Sequence, residues 1–204
     1  MKFSKIIGQQ NIKKHLTQSA GSGRIPHAQL FIGPEGSGVL PMAIAYAQYI
    51  ICKNMGEENA GGNAACNLKF ENFQHPDIHY VFPVATNESV GSKPISDNFL
   101  EQWFEFLKTD IYGNINDWYE HLDIKNKQGN ISVHEATNII KKISLKSFEG
   151  GYKVMIIWMA EKMNTEASNK LLKLLEEPTD KTVFILIAED EKAILQTILS
   201  RCQV

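Results

Sequence analysis

Gln29-Leu30-Phe31-Ile32-Gly33-Pro34-Glu35-Gly36-Ser37-Gly38-Val39-Leu40 decides how this chain folds. A short apolar run breaks into a turn carrying Gly33, Gly36 and Gly38, and residues 39–53 then read as a helix. Strand, Gly-x-x-x-x-Gly turn and helix in direct succession is the setting of a phosphate-binding P-loop. In a working loop the next two positions hold Lys and then Ser or Thr. The ammonium lies against the β- and γ-phosphates, and the hydroxyl binds magnesium. Val39 and Leu40 occupy those positions and can do neither job. What persists is a set of backbone amides at a helix N-terminus, a modest anion site. Two glycines alone would be a plain strand-to-helix turn; the buried strand ahead of them supports a P-loop as architecture, not as chemistry.

Outward from this turn the same grammar repeats. Further buried strands are expected at 77–82, 153–158 and 182–187, each an apolar run too continuous for a half-exposed strand. Helices are expected at 5–20, at 132–149 behind a Ser132–Glu135 capping box, and at 164–177 behind Asn164, where Pro178 ends it. A short helix leads to Ser200-Arg201-Cys202. Residues 54–67, rich in Gly, Asn and Ala, read as a flexible loop. Residues 84–130 interrupt the rhythm and read as an insertion whose aromatics, Trp103, Phe104, Phe106, Trp118 and Tyr119, anchor it to the core. The fold class is therefore α/β, a mostly parallel sheet flanked by helices in three layers.

Composition narrows the function. The 204 residues are 43% apolar and 22% charged, the profile of one globular domain rather than a disordered or collagen-like chain. Lys and Arg number 21 against 23 Asp and Glu, a formal charge of −2, so no strong field draws the chain to DNA or anionic lipid. The longest apolar run, 154–160, is far short of the roughly 20 residues that cross a bilayer. Three cysteines, Cys52, Cys66 and Cys202, are too few for a disulfide framework, and no signal-like stretch opens the chain. A reduced, cytoplasmic setting is the expectation.

The strand at 153–158 tests the P-loop independently. A P-loop ATPase ends this strand with an Asp for magnesium and often a Glu that activates water. This chain has Trp158-Met159 there, with Glu161 two places downstream and off the strand end. Both halves of the metal and water machinery are apolar, which argues for an inactive site.

Ile6-Ile7-Gly8-Gln9, Arg24-Ile25-Pro26-His27-Ala28, Leu30-Phe31-Ile32-Gly33-Pro34, Asn169 to Pro178 and Ser200-Arg201-Cys202-Gln203 occur in this order. Together they strongly resemble the bacterial clamp-loader subunits of DNA polymerase III, which are AAA+ proteins. The resemblance covers the chain apart from 84–130. The loss of Lys-Thr and Asp-Glu resembles the delta-prime branch rather than the ATP-hydrolysing gamma/tau branch. It implies an AAA+ core over 1–204, with no cofactor of its own. The implied role is an ATP-independent stator, with gamma/tau and delta subunits as partners. The sliding clamp and primed DNA are engaged through the assembled loader, and no membrane is involved. The resemblance also implies that Arg201 acts as an arginine finger on ATP held by the neighbouring gamma subunit, with Ser200 and Cys202 shaping its turn. An isolated Ser-Arg would be an ordinary surface arginine; the leucine-rich helix and Glu-Glu-Pro before it favour the finger.

Two features depart from the family. Its members commonly carry a four-cysteine zinc module after the P-loop helix. Here only Cys52 and Cys66 lie in that region, without a Cys-x-x-Cys pair, so a four-thiolate site is excluded. His75 and His79 invite a mixed site, but His75-Pro76-Asp77-Ile78-His79 also resembles the family's usual entry into its second strand, and no metal is expected. Family members also continue into a fifth strand, a lid and a helical collar, so a fragment with one unpaired sheet edge is the expectation. The alternatives are a gamma/tau-type ATPase, whose nearby cations Arg24 and Lys53 lie outside the loop, and a nucleic-acid-binding module, against which the charge balance weighs.

Overall fold

Parallel pairing of apolar runs builds the centre of the molecule. The computed structural model describes residues 1–53, 64–124, 127–149 and 151–204. Among them β1 (Ala28–Ile32), β2 (Ile78–Val81), β3 (Lys153–Ile157) and β4 (Thr182–Ala188) form a parallel sheet in the order β1-β4-β3-β2. Every residue of β3 and β4 is buried, as a sheet covered on both faces requires. Alternate side chains serve opposite cores. Val154, Ile156, Val183 and Ile185 face one; Met155, Ile157, Phe184 and Leu186 face the other.

The first face is covered by α1 (Gln10–Gly21), α2 (Val39–Lys53), α3 (Ala64–Glu71), α4 (Leu100–Thr109) and α5 (Ile115–His121). The second is covered by α6 (Val133–Ser144), α7 (Thr165–Glu176) and the short α8 (Gln196–Leu199). Helix α2 is apolar nearly all round because it lies between the sheet and the outer helices. Asn164 caps α7 as its sequence implies, accepting from the Ala167 amide at 2.8 Å.

Several expectations are corrected. The first helix begins at Gln10, not at 5, because Gly8 and Gln9 both take left-handed conformations behind a 3-10 turn at Phe3–Lys5. Of the expected loop 54–67, residues 64–67 belong to α3, and the rest lie outside the described residues. Helix α6 stops at Ser144, short of 149. Its capping box does not form: the Ser132 hydroxyl is buried without a partner, and Glu135 instead accepts from the backbone amide of Ser96. The thiols of Cys52 and Cys66, read as reduced, are joined in a disulfide between the end of α2 and α3. The outer edge of β1 is not wholly bare: Leu30 N donates to Gln203 O at 2.8 Å, and Gln203 N donates to Ala28 O at 2.9 Å.

The aromatics of 84–130 anchor that segment as read. Trp103 and Trp118 are fully buried, and Trp103 stacks on Phe82 at 4.3 Å between ring centres. Trp118 also donates its indole N–H to Pro83 O at 2.9 Å.

Candidate functional site

The turn between β1 and α2 closes tightly on itself. Gly38 has φ +81°, a conformation that side chains rarely tolerate. A Cβ at Gly33 would come within 2.5 Å of Val39 Cγ2 and 2.6 Å of Ser37 Oγ, so the Val39 side chain lies over the loop's first glycine. Ser37 N donates to Pro34 O at 3.1 Å, and Gln9 Nε2 donates to Ser37 O at 2.5 Å.

Above this turn is a cavity of about 40 Å³, ringed by residues 33–41 and 111–114 with Trp158, Met159, Ile187 and Glu189. On the same measure a single water needs about 10–15 Å³, so the space takes only a few waters. Pockets for larger ligands start near 300 Å³. Neither Lys nor Arg is among the described residues lining it, whereas the carboxylates of Glu35 and Glu189 are. Leu40, Trp158 and Met159 are all buried. Trp158, where a magnesium ligand would end β3, instead packs on Trp103 and Phe106 of α4 at 5.2 and 6.0 Å between ring centres. Glu161 has left the site: it lies in a 3-10 turn and accepts from Glu189 N at 3.3 Å, and burial pushes its carboxyl pKa up. A magnesium nucleotide does not fit these residues in charge, donor set or space.

The Ser-Arg-Cys turn is a separate feature at the end of α8. Arg201 Nη1 donates to Thr197 O at 2.8 Å, and Nη2 pairs with Glu176 Oε1 at 2.6 Å. Glu176 belongs to the Leu-Leu-Glu-Glu-Pro stretch that ends α7, so two sequence motifs meet here. An exposed ion pair of this kind is worth about 1 kcal/mol or less. The guanidinium is thus oriented but free to exchange Glu176 for another anion. Ser200 is exposed, and Cys202 is half-buried against the α6–α8 core, its thiol pKa pushed up to about 11 by burial.

Of the residues considered as metal ligands, Cys52 and Cys66 are bonded to each other, and His75 Nε2 lies 3.3 Å from Glu149 Oε2. No group of three or more His, Cys, Asp or Glu among the described residues is placed to hold a metal. No helix among them is long and apolar enough to cross a membrane. Sequence reasoning missed the turn 111–114, which the structure brings against the phosphate loop. Asn114-x-x-Asp117, a helix-start signature, was its one visible trace.

The sequence profile of a family described as DNA polymerase III, delta subunit, matches residues 8–204. The delta' subunit of DNA polymerase III from Bacillus subtilis is 30% identical over 96% of this chain and 46% of its own length. The tau subunit from the same organism is 29% identical over 99% of this chain and 28% of its own. The chain thus spans about half the length of the delta' relatives or less. A solved gamma subunit-related protein from Thermotoga maritima superposes with a TM-score of 0.50 at 15% identity, over 93% of this chain and 43% of that one, which supports the shared fold.

Proposed function

This chain belongs to the DNA polymerase III delta subunit family, and from that membership we propose that it is the non-catalytic core of a clamp-loader subunit of the delta-prime kind. It acts as a stator: it hydrolyses no ATP and takes part in placing the sliding clamp on primed DNA through the assembled complex. The observation that carries this reading is the lining of the phosphate loop, where Val39, Leu40, Trp158 and Met159 stand and, among the described residues, no Lys or Arg does. Gamma/tau and delta subunits are its partners, in the bacterial cytoplasm. Residues 1–204 form one AAA+ core with an insertion at 84–130.

Arg201 is the arginine finger it lends to a neighbouring ATPase subunit. A guanidinium keeps its charge at any physiological pH and matches the planar oxygens of a transferring phosphoryl group. Arg201 is held by Thr197 O, by Ser200 Oγ at 3.4 Å and by the Glu176 carboxylate, contacts that an incoming phosphate would have to replace in part. Arg201→Ala in the full-length protein should leave folding intact and lower the DNA-stimulated ATPase of the reconstituted loader. At the one site the finger faces, the loss should be roughly a thousandfold or more. An unchanged burst of phosphate release would sink the finger assignment while leaving the stator reading standing.

A further inference from the structure

We propose that the turn 110–114 is a built-in occupant of the phosphate seat, and that closing this seat is the work of the 84–130 insertion. The proposal deepens the non-catalytic reading and rests on it. The missing Lys-Thr and Asp-Glu pairs explain why phosphate would be held poorly; they do not explain why the space is gone.

The closure is carried by contacts on both sides of the seat. Tyr112 Cε1 lies 3.0 Å from where a Cβ of Gly38 would be, so its ring rests directly on the glycine that opens toward phosphate in a working loop. Asn114 Nδ2 donates to Glu35 Oε1 on the loop. The same Asn114 caps α5, its Oδ1 accepting from Asn116 N at 2.7 Å and Asp117 N at 3.1 Å, while Asp117 Oδ2 accepts from Asn114 N at 2.8 Å. The turn is therefore fixed to a helix at one end. At the other end, Asp110 N donates to Phe106 O at 2.8 Å, continuing α4 into the turn, and a Cβ at Gly113 would meet Phe106 Cζ at 2.8 Å.

The degenerate positions complete the fit. Trp158 packs on Trp103 and Phe106, the α4 residues behind the turn. Val39 lies over Gly33. Substitution at Val39, Leu40, Trp158 and Met159 and closure by the insertion are thus two halves of one packed unit, and restoring the chemistry alone will not restore the site.

The test uses the full-length protein and has two arms. In the first, amide hydrogen exchange is followed at Gly36, Ser37, Gly38 and Val39. Tyr112→Ala should speed it at least tenfold, and Asn114→Asp, which keeps the α5 cap but loses the donor to Glu35, several-fold. Exchange in β3 and β4 reports folding, and the Asn114 variant decides if the Tyr112 variant loosens them. Wild-type exchange rates at the loop in the folded variants overturn the proposal.

In the second arm, binding of ATP with magnesium is measured by calorimetry. Val39→Lys/Leu40→Thr should bind no better than wild type. Adding Tyr112→Ala should tighten binding at least tenfold. Binding by the double variant alone, or no gain in the triple variant, overturns the proposal. Neither outcome touches the non-catalytic reading, which falls only if the wild-type protein itself binds and turns over ATP.

Discussion

His79 stands on β2 at the rim of a cavity of about 300 Å³ that it shares with His75, Phe104 and Lys142. Burial, reinforced by the Lys142 charge and opposed by Asp77 and Asp97, lowers its pKa from 6.5 to about 4. The unfolded chain therefore binds more protons than the folded one between those values, so stability rises with pH across that window and is lost as pH falls through it. From pH 7 to pH 4.5 the loss through this ring is roughly 1–3 kcal/mol. His79→Gln should flatten the pH dependence of the urea midpoint by that amount, and an unaltered slope would show that the ring is not desolvated. Glu135 works with the opposite sign, since burial raises its carboxyl pKa. It also marks how far single residues can be read from sequence. Asn164 and Ser132 both precede apolar helices, yet only Asn164 caps. Glu135 finds a partner in Ser96, 39 residues away, and no local pattern announces that.

Helices α2 and α3 are tied by the Cys52–Cys66 disulfide across a sequence separation of 14. Closing a loop of this size in the unfolded chain is worth about 3 kcal/mol. Oxidised protein should accordingly unfold at a higher urea concentration than the same protein kept in reductant. Cys52→Ser/Cys66→Ser should match the reduced form under either condition. Equal midpoints for oxidised and reduced protein would mean that the two sulfurs are not joined in solution. At this scale legibility divides by the range of the cause. The strands announce themselves as continuous apolar runs, and the glycine turn after β1 announces its helix, because both depend on neighbouring residues. The disulfide, and the seating of α4 and α5, depend on which distant surfaces meet. Trp103 could be recognised as an anchor, but nothing nearby in sequence shows that Trp158 is what it anchors to.

Across the whole molecule, three barriers to nucleotide coincide at one place. Cations are missing from the lining among the described residues, Glu35 and Glu189 stand in it instead, and about 40 Å³ of space remains. The first was legible, since Val39, Leu40, Trp158 and Met159 can be read directly. The others were not, because Glu189 arrives from the end of β4 and Tyr112 from the insertion. Their joint consequence can be measured as heat stability. A ligand that binds only the folded state at ~10 μM would, at 1 mM, add about 2.7 kcal/mol. For a domain of this size that corresponds to a rise in Tm of roughly 5–10 °C. With 1 mM ATP and magnesium, the full-length protein should shift by less than about 1 °C, the same as with magnesium alone. A gamma/tau subunit, the partner proposed above, is the positive control in the same buffer. A shift in this protein comparable to the control's would mean that the seat opens in solution and that some other cation reaches the phosphates, and turnover of the ATP so bound would then end the non-catalytic assignment.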